Sequence, residues 1–302
     1  MDHAFGSLEG ERAPHERCCL EGVPACLPHS KESESFSSAS SLNALPDAHF
    51  HLGFVADAAS FAHAVCEADG MVFAASVTTG EYRQTKASLG NAPYRGVKLA
   101  VGLHPWWAPK GEDELSQELA AFDAALPQTR FVGEVGLDFS KRRVGTQVAQ
   151  LQAFEHIAHA CAEAGDKVLS VHCVSAYEDA LRILETTGCF EACTCIFHWF
   201  SGSFPQLTKA MEQGCFFSVG ERMLASKKGR EYARALPLRR ILLETDAPAV
   251  RSPETVHPHV EYAFESMQRE LYGALGQIAE LRRMESAVLA QQIRENALRV
   301  LA

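Results

Sequence analysis

From Leu45 onward, short apolar runs alternate with longer stretches whose apolar residues recur at helical spacing. Eight runs have the length and composition of strands: "ALPDAHFHLGF", "GMVFAASVT", "GVKLAVGLHPW", "RFVGEVGLDF", "KVLSVHCV", "CTCIFHWFS", "GCFFSVGE" and "RRILLETDAP". Between them, segments such as "VADAASFAHAVCEA", "EDELSQELAAFDAAL" and "GTQVAQLQAFEHIAHACAEAG" place apolar residues at i, i+3 and i+4. That is the period of an amphipathic helix. Residues 259–302 add a helical tail long enough for a closing helix and one more. Near-continuous apolar strands joined by helices imply a parallel sheet covered on both faces. Eight such units over about 255 residues predict an α/β fold of the (β/α)8 TIM-barrel class. An open doubly wound sheet is the alternative, but no G-x-G-x-x-G turn follows the first strand.

Residues 1–44 break this rhythm. The stretch "HSKESESFSSASSLNA" is Ser-rich and aperiodic. Residues 1–44 are therefore expected to form a flexible, loosely packed extension, with the barrel domain at 45–302.

Composition narrows the classes. A chain of 302 residues, 47% hydrophobic and 22% charged, reads as an ordinary soluble protein with a large core. No apolar run approaches the roughly 20 residues of a bilayer span, and the acid-bearing N-terminus is no secretory signal. A cytoplasmic protein without membrane association is expected. The net charge of −10 argues against a broad basic surface for duplex nucleic acid. It leaves a nuclease open, because bound divalent cations reverse the field locally. The ten cysteines show no disulfide framework. Cys173, Cys193, Cys195 and Cys215 lie in apolar segments and are expected to be reduced, mostly buried thiols. Cys18, Cys19, Cys26 and His29 fit no standard zinc-finger spacing.

Candidate chemistry collects at the strand ends. His49 and His51 alternate in the first strand and would face the same side, a pattern too common to mean metal by itself. His104 closes the third strand, Glu134 and Asp138 the fourth, His172 the fifth, His198 the sixth and Asp246 the eighth. Each alone reads as a loop, cap or hydrogen-bonded core residue. In a barrel, however, all these ends meet on one rim, where active sites are built. Imidazoles and carboxylates gathered there are the donors of a dinuclear divalent-metal site.

These stretches resemble the TatD family of metal-dependent hydrolases, within the amidohydrolase-like barrels. "DAHFHL" is similar to the family's D-x-H-x-H opening, "GLHPWWA" to its G-x-H-P segment and "GEVGLDF" to its G-E-x-G-L-D. "VHC", "HWFSG" and "LLETDAP" match its fifth-strand His, H-C-F-S-G and E-T-D-A-P, and "ENALRVL" its terminal helix. The resemblance runs from about Pro46 to the C-terminus. It implies two divalent ions (Zn, Mn, Mg or Ni) held by His49, His51, Glu134, His172, His198 and Asp246. Glu134 would bridge, with His49, His51 and Asp246 completing one site and His172 and His198 the other. It implies Glu134 and Asp246 as catalytic residues, with Asp246 taking the proton of the attacking water. His104 is read as a substrate contact.

The surroundings depart from the family pattern. Val174 and Ser175 stand where it carries an Arg-x-Ala segment, Trp106 replaces its second His, and Phe139 its Tyr. Trp199 replaces its Cys, and "VHP" at 256–258 its Asn-Glu-Pro loop. Lost Arg and His donors weaken the case for phosphate. Lys141, Arg142, Arg222 and Arg251 are read chiefly as solvated surface charge. The resulting expectation is a phosphodiesterase, a deoxyribonuclease acting on single-stranded DNA or RNA ends, as a monomer without an obligate protein partner. An amide or ester hydrolase on the same site is the alternative, and a non-catalytic metal-binding barrel a further one.

Overall fold

The computed structural model of the chain describes residues 44–92, 94–249 and 259–302. The bulk of the expected extension, with Cys18, Cys19, Cys26 and His29, lies outside the described residues, as do Arg251 and 256–258. The strands are β1 (Asp47–Phe50), β2 (Val72–Ala74), β3 (Val97–Leu99), β4 (Val101–Leu103), β5 (Phe131–Asp138), β6 (Val168–Val174), β7 (Thr194–His198), β8 (Phe216–Val219) and β9 (Ile241–Leu243). All pair in parallel, β1-β2-β3 in one ladder and β4 to β9 in order in another. The ring closes where Asp246 N donates to His49 O at 3.0 Å and His51 N to Ala247 O at 2.8 Å, beside a Phe50–Ala247 bridge. With β3 and β4 as halves of one strand, the fold is the expected eight-stranded barrel.

The third strand is interrupted at Ala100, which the sequence pattern does not foresee. Its two neighbours bond one another past it: Ser76 N donates to Gly133 O at 2.8 Å, and Glu134 N to Ser76 O at 2.9 Å. Gly102 lies beneath this crossing. A Cβ there would fall 2.1 Å from Ser76 O and 2.5 Å from Glu134 N, so only glycine lets the backbones approach.

The principal outer helices are α1 (Ala58–Glu67), α2 (Thr79–Leu89), α3 (Glu112–Ala125), α4 (Gln147–Ala164), α5 (Tyr177–Thr186), α6 (Cys189–Ala192), α7 (Phe204–Glu212), α8 (Glu221–Leu224), α9 (Lys227–Ala235), α10 (Phe264–Arg282) and α11 (Ser286–Leu301). Caps expected from short polar side chains begin several of them. Asp57 accepts from Ser60 N at α1, Thr78 from Glu81 N at α2, and Ser203 with Gln206 forms a capping box at α7. The larger core lies between strands and helices. A smaller cluster fills the barrel's N-terminal end, where Ala297, Val300 and Leu301 of α11 pack on Phe73, Val168, Ile196, Phe216 and Leu242. That plug leaves the opposite rim as the open end. Among the described residues, the seven cysteines are free thiols, and all but Cys66 and Cys193 are buried. No helix among them is long and apolar enough to cross a membrane.

Candidate metal centre

Alternation along the strands carries the chain from plug to site. Val168, Ile196, Phe216 and Leu242 meet in the plug, and the next residues on the same faces are Ser170, His198, Ser218 and Glu244. One step further lie His172 and Asp246. The apolar floor therefore gives way to a polar layer within two or three residues on each strand.

Glu134 is the hub of that layer. Its Oε2 lies 3.3 Å from His49 Nε2 and 3.5 Å from His51 Nε2. Its Oε1 lies 2.7 Å from His172 Nδ1, 2.9 Å from His198 Nε2 and 3.2 Å from His104 Nε2. Asp246 Oδ1 approaches His51 Nε2 at 3.3 Å and His49 Nε2 at 3.9 Å. Three overlapping donor groups result: His49, His51 and Asp246; His49, Glu134 and His198; and His104, Glu134 and His172. Within each, the donor atoms lie within 4.8 Å of one another. All six residues assigned to metal from the sequence thus meet on one rim. His104, assigned to substrate, lies as close to the hub as they do.

The neighbouring side chains fix the orientation of these donors. Ser170 Oγ is 2.7 Å from His49 Nδ1, which points His49 Nε2 at Glu134. Asp47 accepts from His49 N at 3.0 Å and from Thr245 Oγ1 at 2.6 Å, tying β1 to the segment that carries Asp246. Asp138 holds the far side of His172, Oδ2 lying 3.5 Å from Nε2, and itself accepts the Trp106 indole N–H at 2.5 Å. Glu244 accepts from the Ser218 hydroxyl and lies 3.8 Å from His198 Nδ1. Gly136 on β5 takes φ +138°, and a Cβ there would sit 2.0 Å from His172 O. Asp246 itself takes φ +52°, which Asp tolerates better than most residues.

The electrostatics favour a cation. Burial alone would raise the Glu134 carboxyl, but the imidazoles of His104, His198 and His49 more than offset this and hold it well below the usual range. Burial likewise opposes the Asp246 carboxylate, and the neighbouring imidazoles of His51, His198 and His49 lower it. Burial pushes His49 and His104 down to about 4, so both present neutral lone pairs. Burial works against the His172 cation too, yet Asp138 and Glu134 pull that imidazole up to about 9. Asp47 is pushed up to about 7 by burial, despite the Thr245 hydroxyl.

Several buried donors have no hydrogen-bond partner among the described residues, including His49 Nε2 and both ring nitrogens of His51. Buried polar atoms are seldom left so. Imidazole nitrogens without partners beside the ionised carboxylates of Glu134 and Asp246 are a donor set compatible with a divalent metal. The cluster forms the floor of a cavity of about 290 Å3, walled in part by Trp106, Val174, Trp199, Ser201 and Arg222.

Two readings of the sequence change here. Arg222 is more than solvated charge: its Nη1 donates to Asp246 Oδ2 at 3.0 Å at the cavity mouth. Trp106 is more than a lost donor, because its indole anchors Asp138 behind His172. The sequence pattern assigns no role to Ser170 or Glu244: Ser170 is marked only by its place on the inward face, one step above the apolar floor, and Glu244 also by opening the E-T-D-A-P match.

The TatD related DNase family matches residues 46–302. Human Deoxyribonuclease TATDN3 is 29% identical over 157 residues, 49% of this chain and 56% of that protein. The 3'-5' ssDNA/RNA exonuclease TatD of Erwinia tasmaniensis is 30% identical over 204 residues, 66% of this chain and 75% of that protein. The chain spans about half the length of several other curated relatives it matches. Among solved structures, the TatD homolog YJJV of Escherichia coli k12 superposes with a TM-score of 0.68 at 22% identity, covering 85% of this chain and 97% of that one.

Proposed function

The chain belongs to the TatD related DNase family, and from that premise we propose that it is a divalent-metal-dependent hydrolase cleaving phosphodiesters at single-stranded nucleic-acid ends. The observation that carries this reading is the placement of Glu134, one oxygen facing His49 and His51 and the other facing His104, His172 and His198, on the floor of an open cavity. Glu134, His49, His51 and Asp246 would hold one ion, and Glu134, His172 and His198 a second. When bound, such ions supply Lewis acidity, activating water and neutralising charge that develops on phosphoryl oxygens. A cytoplasmic location and a monomeric state belong to the same reading.

The chain's own residues supply the proton handling. Asp246 is held ionised at neutral pH by the histidines beside it, so it is competent to accept a proton. Water attacks phosphorus, the bond to the departing oxygen breaks, and the proton taken by Asp246 passes to that oxygen. Arg222, half-exposed beside Asp246 Oδ2, would meet a non-bridging phosphate oxygen and stand in for the Arg missing after β6. Two relatives named for deoxyribonuclease or 3'-5' ssDNA/RNA exonuclease activity support the substrate class.

The test is a screen of purified protein, metal by metal, against single-stranded oligonucleotides and ester and amide substrates. Oligonucleotide shortening that needs added metal is expected. Asp246→Asn keeps shape and much of the coordination, so its rate should fall by at least about 100-fold while metal content falls little. Ester or amide turnover with no oligonucleotide cleavage would transfer the assignment to acyl hydrolysis.

A further inference from the structure

We propose that Trp199 is the platform on which the base of the cleaved nucleotide stacks, which makes it the chain's determinant for an unpaired nucleobase. The proposal rests on the nucleic-acid reading above.

Trp199 directly follows His198, lines the cavity and is 37% exposed. A large indole left in water forgoes substantial burial energy unless something else covers it. The other two tryptophans are half-buried. Trp106 lines the same cavity, but its N–H is committed to Asp138, and its ring has the Arg143 guanidinium at 4.6 Å and Trp107 at 6.2 Å.

The loop beneath Trp199 is rigid. Phe200 is buried against Tyr177 at 4.5 Å, Tyr232 at 5.3 Å and Phe217 at 5.6 Å between ring centres. Ser201 N donates to Tyr177 Oη at 2.7 Å, Lys228 Nζ to Ser201 O at 2.9 Å, and the Tyr232 hydroxyl to Gly202 O. Trp199 itself adopts φ +40°, which a bulky residue avoids, and its backbone N–H donates to the buried Glu244 Oε1 at 3.1 Å. Phe200 thus turns inward as an anchor while the indole beside it stays at the mouth. A preorganised aromatic loses little freedom when a ligand covers it.

A phosphate at the donor cluster brings its own nucleoside to this wall. Every base has a π-face, so stacking on an indole tolerates all four bases, whereas a base within a duplex has its faces covered by stacked neighbours and its edge held by its partner, and cannot turn onto the indole. Arg222 adds to the platform, lying 6.0 Å from the Trp199 ring centre and 3.0 Å from Asp246.

The test compares kcat/KM of the full chain with manganese on two oligonucleotides, one ending in adenine and one in an abasic sugar at the cleaved position. Wild type should prefer the adenine end by about 5- to 100-fold, the range that base–aromatic stacking supplies. Trp199→Ala should bring that ratio close to one, and Trp199→Phe should retain most of it. Equal wild-type rates on both ends would overturn the platform and leave the nuclease reading standing. If no oligonucleotide is cleaved, tryptophan fluorescence titrated with a deoxyadenosine pentanucleotide decides. A quench present in wild type and absent from Trp199→Ala supports the platform without the nuclease; no quench in wild type overturns the platform.

Discussion

At the scale of the residue, the site turns on Glu134. Its two oxygens face separate sets of imidazoles, so Glu134→Gln replaces an acceptor on one side with an N–H that points at a ring nitrogen. Metal titration by calorimetry should show both binding events weakened, each by more than the 10- to 100-fold typical of an outer contact. His198→Ala should chiefly weaken one; equal weakening of both would argue against the division of ligands. Protons report on the same cluster. Although burial disfavours its charge, His172 is pulled up to about 9 by Asp138 and Glu134, so the ion-free chain holds that proton at neutral pH. An entering ion must displace it. Apparent affinity should therefore rise with pH toward 9, by about tenfold per unit for one proton, and calorimetry in buffers of different ionisation enthalpy should register its release. A pH-independent affinity would mean that His172 is not displaced.

At the scale of the element, the last helix holds the barrel's final strand from outside. Asn296 of α11 is fully buried, and its amide donates to Leu238 O at 2.7 Å and Ile241 O at 2.8 Å. These carbonyls flank the start of β9, whose far end leads to Glu244 and Asp246. Replacing Asn296 by Leu removes the side-chain donor from both carbonyls; Leu238 O keeps the Ile241 N–H, so the cost falls on the buried Ile241 O, about 1–3 kcal/mol. Denaturant melts should show a lower midpoint at an unchanged slope. An unchanged midpoint would mean that water or a neighbour takes over Ile241 O.

At the scale of the whole molecule, the closed ring forces donors from six strand ends into one small volume. Buried imidazole nitrogens without partners burden the ion-free fold, and an ion that binds only the folded state stabilises it. At a free metal concentration of 100 times Kd, one site contributes about 2.7 kcal/mol. For a domain of this size that corresponds to about 5–10 °C in Tm, lost on chelation and regained on adding metal. A Tm indifferent to chelator and metal alike would count against the centre. The cavity of about 290 Å3 also sits at the small end of ligand pockets, with room for one unstacked nucleotide rather than a duplex. Single strands should therefore be cut in preference to the same sequence annealed.

Much of this was legible in the chain alone, because periodicity is a local property. Apolar runs alternating with helical spacing specify strands and helices in turn, and eight such units leave few ways to pack other than a barrel. The polar residues that end those runs, His49 to Asp246, could be named because a barrel brings every strand's C-terminal end to one rim. What sequence could not supply were contacts between residues far apart along it. Ser170 lies 121 positions from His49 and is an ordinary strand serine until the ring closes. Arg222 reads as surface charge until the turn after β8 sets it 3.0 Å from Asp246, and Trp106 reads as a missing histidine until its indole meets Asp138. The break at Ala100 is of the same kind, since it exists only because β2 and β5 bond over Gly102. Local pattern determines which residues can face the centre; only the closed barrel decides which of them touch.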